Sequence, residues 1–385
     1  MPIGTDALRP GNALSSIAMN RVLLVVPTLE YSGTSKQLVL LAAGLPGCGF
    51  EVGVAVLGDS GPHAKALRAR GITVYSLGWR RLIDLGLFGR LRRIVDEFRP
   101  EVIHSWHPLS LRVLATAGAD TTSRLIACAP MQQLPSRSSG YPWDRWLLGR
   151  ADRVVATGAA QVEHYRRQRI PATKTIEVPP GVAACTRTGE RLPLCRRLGI
   201  DPDARLIFCA GPLLPEKGFQ DAIWTFAILR YLFEDLHLIF IGGGPDQLRL
   251  QQFVRTSGLQ SHVHFLGYQP DAAALLGLGE VVWVPSRRFG GVNVALEGMA
   301  AGRPVVASRL PALVEVIRDG ETGFLIDPGD KIALARRTRK LLDDPKRCHE
   351  MGEAGKQRIE KHFAAARFVE RWAQLYEEVT HGPKG

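Results

Sequence analysis

No C-x-x-C pair occurs among the six cysteines, Cys48, Cys128, Cys185, Cys195, Cys209 and Cys348, which are scattered along the chain. The scatter argues against a structural zinc site and against the dense disulfide framework of a small secreted domain, and it suits a reducing cytoplasm. No apolar run approaches the roughly 18 residues that cross a bilayer, and the start offers only Arg9 before a short apolar strand, which makes a poor secretory signal. A cytoplasmic protein is expected. Long single-residue tracts are also missing, so disorder and fibrous structure are not expected. Acid is in short supply: 37 Asp and Glu stand against 49 Lys and Arg, a net charge of +12. Such a balance favours an anionic partner, whether nucleotide phosphates, nucleic acid or acidic lipid. No aromatic and basic platform for nucleic acid is evident, and a nucleic-acid partner is not expected.

With 385 residues, 45% of them apolar, the chain exceeds what one α/β domain usually needs, and two domains are expected. Residues 1–19 read as a flexible polar leader, with Met19 as an alternative start. From Arg21 onward, short β-branched runs alternate with helical patterns: RVLLVV, SKQLVLLAAGL, EVGVAVLG, HAKALRARG and ITVYSLG. The rhythm continues to IEVPPGV near residue 182. This is the signature of β-α-β units in a parallel sheet. A second series starts at RLIFCAG and runs through LHLIFIGGGP, VVWVPS and PVVAS to GFLIDPG. The expected organisation is one Rossmann-like domain over 20–185 and another over 186–363, with the segment 364–385 as a final helix. In that last helix Phe368, Trp372, Leu375 and Tyr376 form one apolar face that must dock somewhere.

Phosphates bind such sheets where a glycine-rich turn leads from a strand into a helix, because backbone N–H groups point at the ligand there. Three turns qualify. In YSGTSKQ, Gly33 lets backbone approach an anion, although a plain tight turn reads as well. The run Gly242-Gly243-Gly244-Pro245 follows LHLIFI but lacks the spacing of the dinucleotide fingerprint, which disfavours a dehydrogenase. In SRRFGGVNVALEGMAAG, Asn293 is expected to cap a helix whose first amides face a cleft, with Arg287 and Arg288 beside it.

The segment VPSRRFGGVNVALEGMAAGRPVVASRLPALVEVIRDGETGFLIDPGD resembles the donor-site signature of the family-four retaining glycosyltransferases. GPLLPEKGFQDAI, IGGGPDQLRLQQF, VHFLGY, ADRVVATGAAQVEHY and LLDDPKRCHEMGEAGKQRIEKHF also resemble blocks of that family, in the same order, from about Arg21 to Tyr376. The resemblance implies a GT-B fold: two Rossmann-like domains with mainly parallel sheets facing across a cleft. It implies a nucleotide-sugar held mainly by the C-terminal domain, an acceptor held mainly by the N-terminal one, and a last helix crossing back. By the same resemblance Lys217, in PEKG, stabilises the departing diphosphate, and Glu297 accepts hydrogen bonds from the ribose hydroxyls. The amides of Asn293 and Val294 meet the diphosphate, and Gly267 and Tyr268 lie near the base. The implied chemistry is front-face attack by an acceptor hydroxyl with retention, the departing phosphate taking the proton. No protein nucleophile is then needed, and no metal or other cofactor is expected.

Three places depart from the family pattern, the first being the histidine often found after the second-last strand of the N-terminal domain, whose nearest equivalent positions here are Ala129 and Pro130. The phosphate-binding arginine expected after Gly211 is Pro212, and the glutamate expected eight positions before Glu297 is Phe289. Two readings stay open: a subfamily that reaches the phosphates with Arg287 or Arg288, or a catalytically silent relative that binds carbohydrate or protein. His104 and His107, in VIHSWHPLS at a strand end, are expected to face the cleft and to position an acceptor hydroxyl, with satisfied turn histidines as the bland alternative. Asp201 and Asp203 form a D-x-D that reads as a loop. In RRLIDLGLFGRLRRIVDEFR the apolar face from Leu87 to Phe98 reads first as a crossover helix, and second as a peripheral contact with the inner face of the membrane.

Overall fold

The computed structural model describes residues 20–79, 84–117, 122–128, 142–185 and 190–382. The leader, together with Ala129 and Pro130, lies outside these described residues. Among the described residues, thirteen strands form two wholly parallel sheets. The first contains β1 (Asn20–Val26), β2 (Phe50–Val56), β3 (Thr73–Ser76), β4 (Val102–Ser105), β5 (Arg124–Cys128), β6 (Arg153–Ala156) and β7 (Thr175–Glu177), in the order β3-β2-β1-β4-β5-β6-β7. The second contains β8 (Arg205–Ala210), β9 (Leu236–Ile241), β10 (Val263–Phe265), β11 (Val281–Val284), β12 (Val305–Ser308) and β13 (Gly323–Ile326), in the order β10-β9-β8-β11-β12-β13.

Helices α1 (Gly33–Gly44), α2 (His63–Arg68), α3 (Leu85–Phe98), α4 (Pro108–Thr116), α5 (Pro142–Arg150) and α6 (Ala159–Arg167) connect the first sheet. Helix α7 (Arg191–Leu198) leads into the second sheet. That sheet carries α8 (Phe219–Arg230), α9 (Gln247–Thr256), α10 (Ala272–Leu276), α11 (Val292–Ala300), α12 (Pro311–Val316) and α13 (Lys331–Leu342). Helices α14 (Pro345–His362) and α15 (Ala365–His381) end the chain.

The unbroken apolar runs in the sequence are explained by burial on both faces of each sheet. Side chains alternate along a strand, so Val22, Leu24 and Val26 of β1 enter one core while Leu23 and Val25 enter another. Likewise Ile207 and Cys209 of β8 pack on one side of the second sheet, and Leu206 and Phe208 on the other. Helix α3 spends its apolar face in the core, where Leu87, Leu91, Ile94, Val95 and Phe98 are buried. Asp84 caps it, accepting from the Leu87 amide. It is thus a crossover helix. Helix α15 joins the core of the first sheet, 272 positions from β4 at one contact: Phe368, Trp372 and Tyr376 are buried beside Leu38, Phe50 and Val102. No helix among the described residues is long and apolar enough to cross a membrane.

Candidate functional site

Strand order reverses between β1 and β4 in one sheet and between β8 and β11 in the other. Open parallel sheets bind ligands beyond the carboxyl ends of their strands at such switch points. Here the two switch points share one cavity of about 470 Å³. Its walls are the loop after β1 with Tyr31 and Gly33, the loop after β8 with Gly211, Pro212 and Lys217, and the loop after β11 through Val294.

Lys217 ends a short 3-10 turn, Pro215–Lys217, and Gly218 follows it in the left-handed region at φ 69° to start α8. The side chain turns inward: the residue is 7% exposed, and Nζ donates to the Phe289 carbonyl at 3.4 Å. Burial pulls its pKa below the ordinary lysine value, a shift partly opposed by Glu216. It is therefore no solvated surface lysine, but an ammonium held at the cleft wall with one weak neutral partner. An anion arriving there gains a cation already desolvated.

Helix α11 begins at the same wall. Its N-cap is Gly291, at φ 91°, and no side chain caps it. Asn293 sits inside the first turn rather than at the cap, so the expected Asn293 cap is corrected. A residue with helical φ and ψ cannot fold its side chain back onto the N2 and N3 amides. Its Oδ1 instead accepts from Gln37 Nε2 at 2.7 Å. The uncapped amides of Val292, Asn293 and Val294 remain at the cleft, with the positive end of the helix dipole behind them.

The first domain closes on this helix start. Gly33 opens α1, and a Cβ there would fall 2.3 Å from Asn293 Nδ2, so glycine permits the approach. Lys36 Nζ lies 2.5 Å from Oε1 of Glu297, one turn beyond Asn293 on α11. Glu297 is 9% exposed and so is buried at the cleft rather than solvated on the helix surface. On another side of the cleft Tyr31 stacks on Tyr268, with ring centroids 4.9 Å apart and planes 21° from parallel. Glu315, on α12, accepts from the Ala160 amide at 2.9 Å, placing a carboxylate from one domain at the N-terminus of α6 in the other.

Several expectations are corrected. His104 does not face the cleft: Nδ1 lies 2.7 Å from the Tyr376 hydroxyl, and its ring sits against Trp106 and Trp372. The alternation along β4 turns it to the sheet face that α15 covers, where burial pushes its pKa well below the ordinary value. His107 is the N-cap of α4, its Nδ1 accepting from the Leu109 amide at 2.9 Å. Gly243 and Gly244 stand behind the wall, and Gly242 lines it. The Gly243 carbonyl accepts from the Tyr268 hydroxyl at 2.9 Å, and Gly244 packs against the Leu213 backbone. Arg287 is committed to Asp221 through bonds of 2.7 and 2.8 Å, and exposed Arg288 does not line the cavity. Neither arginine lines the cavity. Asp201 and Asp203 lie in a turn, where Oδ1 of Asp201 accepts from the Asp203 amide at 2.8 Å.

The cleft residues that sequence reading passed over are Lys36, Gln37, Tyr31 and Glu315. Lys36 and Gln37 lie in the YSGTSKQ segment already singled out for Gly33, but their partners sit 261 and 256 positions away. No local pattern announces such pairs.

Comparison with known proteins agrees with this architecture. Residues 31–184 match the family described as Glycosyltransferase Family 4, and residues 194–358 match Glycosyl transferases group 1. The putative glycosyltransferase EpsD of Bacillus subtilis is 28% identical over 313 residues, covering 76% of this chain and 80% of that protein. The lipopolysaccharide core biosynthesis glycosyltransferase LpsD of Rhizobium meliloti is 28% identical over 312 residues, 80% of this chain and 84% of that protein. Among solved structures, Anabaena Alr3699/HepE in complex with UDP and glucose superposes with a TM-score of 0.80 at 20% identity, covering 92% of this chain and 99% of that one. Two parallel sheets facing across a cleft, with family matches on both halves, place the chain in glycosyltransferase family four, with the GT-B fold.

Proposed function

We propose that this protein moves a sugar from a nucleoside-diphosphate donor to an acceptor hydroxyl with retention of configuration, in the synthesis of a cell-surface glycan or glycolipid. One observation carries the reading: the buried Lys217 ammonium and the uncapped start of α11 converge on a single cavity at the switch points of both sheets. That arrangement suits a diphosphate whose negative charge grows as its bond to the sugar breaks. Relatives support the class of reaction, since LpsD is named for lipopolysaccharide core biosynthesis and the HepE structures hold UDP and UDP-glucose.

In this reading the domain over 186–363 binds the donor and the one over 20–185 binds the acceptor, a sugar, lipid-linked sugar or small molecule. Tyr268 lies beside the base, Glu297 takes the ribose hydroxyls, and the amides of Asn293 and Val294, with that of Gly33 opposite, meet the phosphates. The acceptor oxygen bonds to the anomeric carbon as the carbon–phosphate-oxygen bond breaks, and the acceptor proton passes to the departing phosphate oxygen. Lys217 and the helix amides supply the charge compensation, and the reading invokes no metal. For a lipid-linked acceptor the protein works in the cytoplasm at the inner membrane face, which exposed Arg92 and Arg93 of α3 would touch.

The test is a panel of UDP-, GDP-, ADP- and dTDP-sugars, followed for nucleotide release and, by NMR, for the anomeric configuration of the product. The expected result is one donor class consumed with retention, and a roughly hundredfold slower rate in Lys217→Ala. The absent arginine at Pro212 and the aromatic Phe289 favour one other reading, a catalytically silent carbohydrate- or protein-binding relative. Binding of nucleotide without turnover of any donor would establish that second reading.

A further inference from the structure

Glu297 is already engaged before any ligand arrives. Its Oε1 bonds Nζ of Lys36 at 2.5 Å, while its Oε2 is buried and has no hydrogen-bond partner. A buried carboxylate oxygen without a donor is costly, and a hydroxyl brought to it would relieve that cost. The ion pair is lopsided in exposure: the Lys36 side chain is 37% exposed and that of Glu297 is 11% exposed. The lysine reaches in from the rim and fixes a carboxylate that sits deeper.

Lys36 does not act alone. Its neighbour Gln37 donates to Asn293 Oδ1 at 2.7 Å and exchanges bonds of 2.7 and 2.9 Å with the Gly181 backbone. Consecutive side chains of α1 thus grip residues one turn apart on α11, and the Gly181 bonds hold Gln37 in place. Lys36 lines both the main cavity and an adjoining one of about 240 Å³, bounded by Asp271, Asn293 and Glu297. Glu297 thus stands at the wall of the smaller cavity, with Lys36 between it and the main one.

We propose that Lys36 is a positioning residue for the donor nucleoside: it holds Glu297 through Oε1 so that Oε2 accepts from a ribose hydroxyl. Ribose recognition then depends on a side chain of the opposite domain, and donor binding is coupled to closure of the cleft. The inference rests on the reading of this cleft as a nucleoside-diphosphate site.

Calorimetric titration of the full chain with the tightest binder among UDP, GDP and ADP, and with its 2′,3′-dideoxy form, tests it. The unsubstituted protein is expected to lose roughly tenfold or more in affinity when the two hydroxyls are removed. In Lys36→Met that ratio should shrink below about threefold, and Lys36→Arg should restore it. A merely structural lysine would weaken both ligands alike. Lys36→Gln, read by the same ratio, serves if the Met variant does not fold. A Lys36→Met protein that keeps the full ratio overturns the inference, as does an unsubstituted protein that binds both forms equally. Failure of the unsubstituted protein to bind any of the three nucleotides overturns the proposed function and the inference together.

Discussion

At the scale of single residues, the cleft separates charges that are held in waiting from charges already spent. Arg287 has its fork filled by Asp221, whereas Lys217 is buried against one carbonyl. Burial lowers the Lys217 pKa, so its charged form begins to disappear at a lower pH than an ordinary lysine's. Diphosphate affinity should therefore be fully present below that lowered pKa and fall as pH rises through it, before ordinary lysines titrate near ~10.4. Calorimetry across the alkaline range checks this, and Lys217→Ala should abolish the dependence while costing about 1.5–3 kcal/mol of binding. His104 gives the opposite case, a residue whose chemistry is structural. Burial keeps it neutral in the folded chain, while the unfolded chain takes up a proton near ~6.5. Its contribution is full above that pH and is lost on acidification, because the unfolded state then binds more protons. In His104→Gln the fall of Tm below about pH 6.5 should be shallower, with nucleotide affinity unchanged.

Among the elements, α11 shapes the cleft and α15 completes the core of the first sheet. Helix α11 keeps its first amides at the cleft, and Gly33 lets the start of α1 approach the Asn293 side chain. Gly33→Val would push its side chain into the space of Asn293 Nδ2, which a Cβ alone would approach to 2.3 Å. The expected result is a wider cleft and weaker nucleotide binding with little change in Tm, measured on the same sample. Helix α15 is different in kind, since Trp372 is 2% exposed and packs with His104 and Tyr376 in the core of the first sheet. Trp372→Ala should cost about 3–5 kcal/mol in denaturant unfolding. Strands, crossover helices and the amphipathic face of α15 were legible because their burial follows local periodicity. The α11 start was legible because its turn has a recognisable glycine pattern, and Lys217 was singled out only by the resemblance of its PEKG segment to the family. What the sequence hid is long-range. His104 looks like a cleft residue until Tyr376, 272 positions on, covers its face of β4. Arg287 looks free until Asp221, 66 positions earlier, fills its fork. The Asn293 cap failed by two positions, since Gly291 takes the cap and the asparagine is left to bridge the domains.

Across the whole molecule, two sheets are joined over the cleft by unlike contacts: an ion pair at Lys36 and Glu297, an amide pair at Gln37 and Asn293, a stack at Tyr31 and Tyr268, and a capped helix at Glu315. Each is polar or partly exposed, as expected of domains that move relative to one another. Away from the cleft, the histidines of β9 and β10 impose a pH limit on the fold. Burial, with the neighbouring His264, His262 and Arg230, pushes the His237 pKa down to about 4. Between that value and the ordinary histidine pKa the unfolded chain binds the proton and the folded chain does not, so stability falls with acidification. His237→Asn should flatten the Tm profile over this window.

The central claim is that the cleft is a nucleoside-diphosphate site built on Lys217 and the start of α11. Its most direct test is one calorimetric comparison of the unsubstituted protein and Lys217→Ala, each titrated with UDP, GDP and ADP at neutral pH. Saturable binding of at least one nucleotide, weakened roughly tenfold or more by the substitution, is the predicted result. Binding with equal affinity by both proteins, or none by a folded unsubstituted chain, would contradict it.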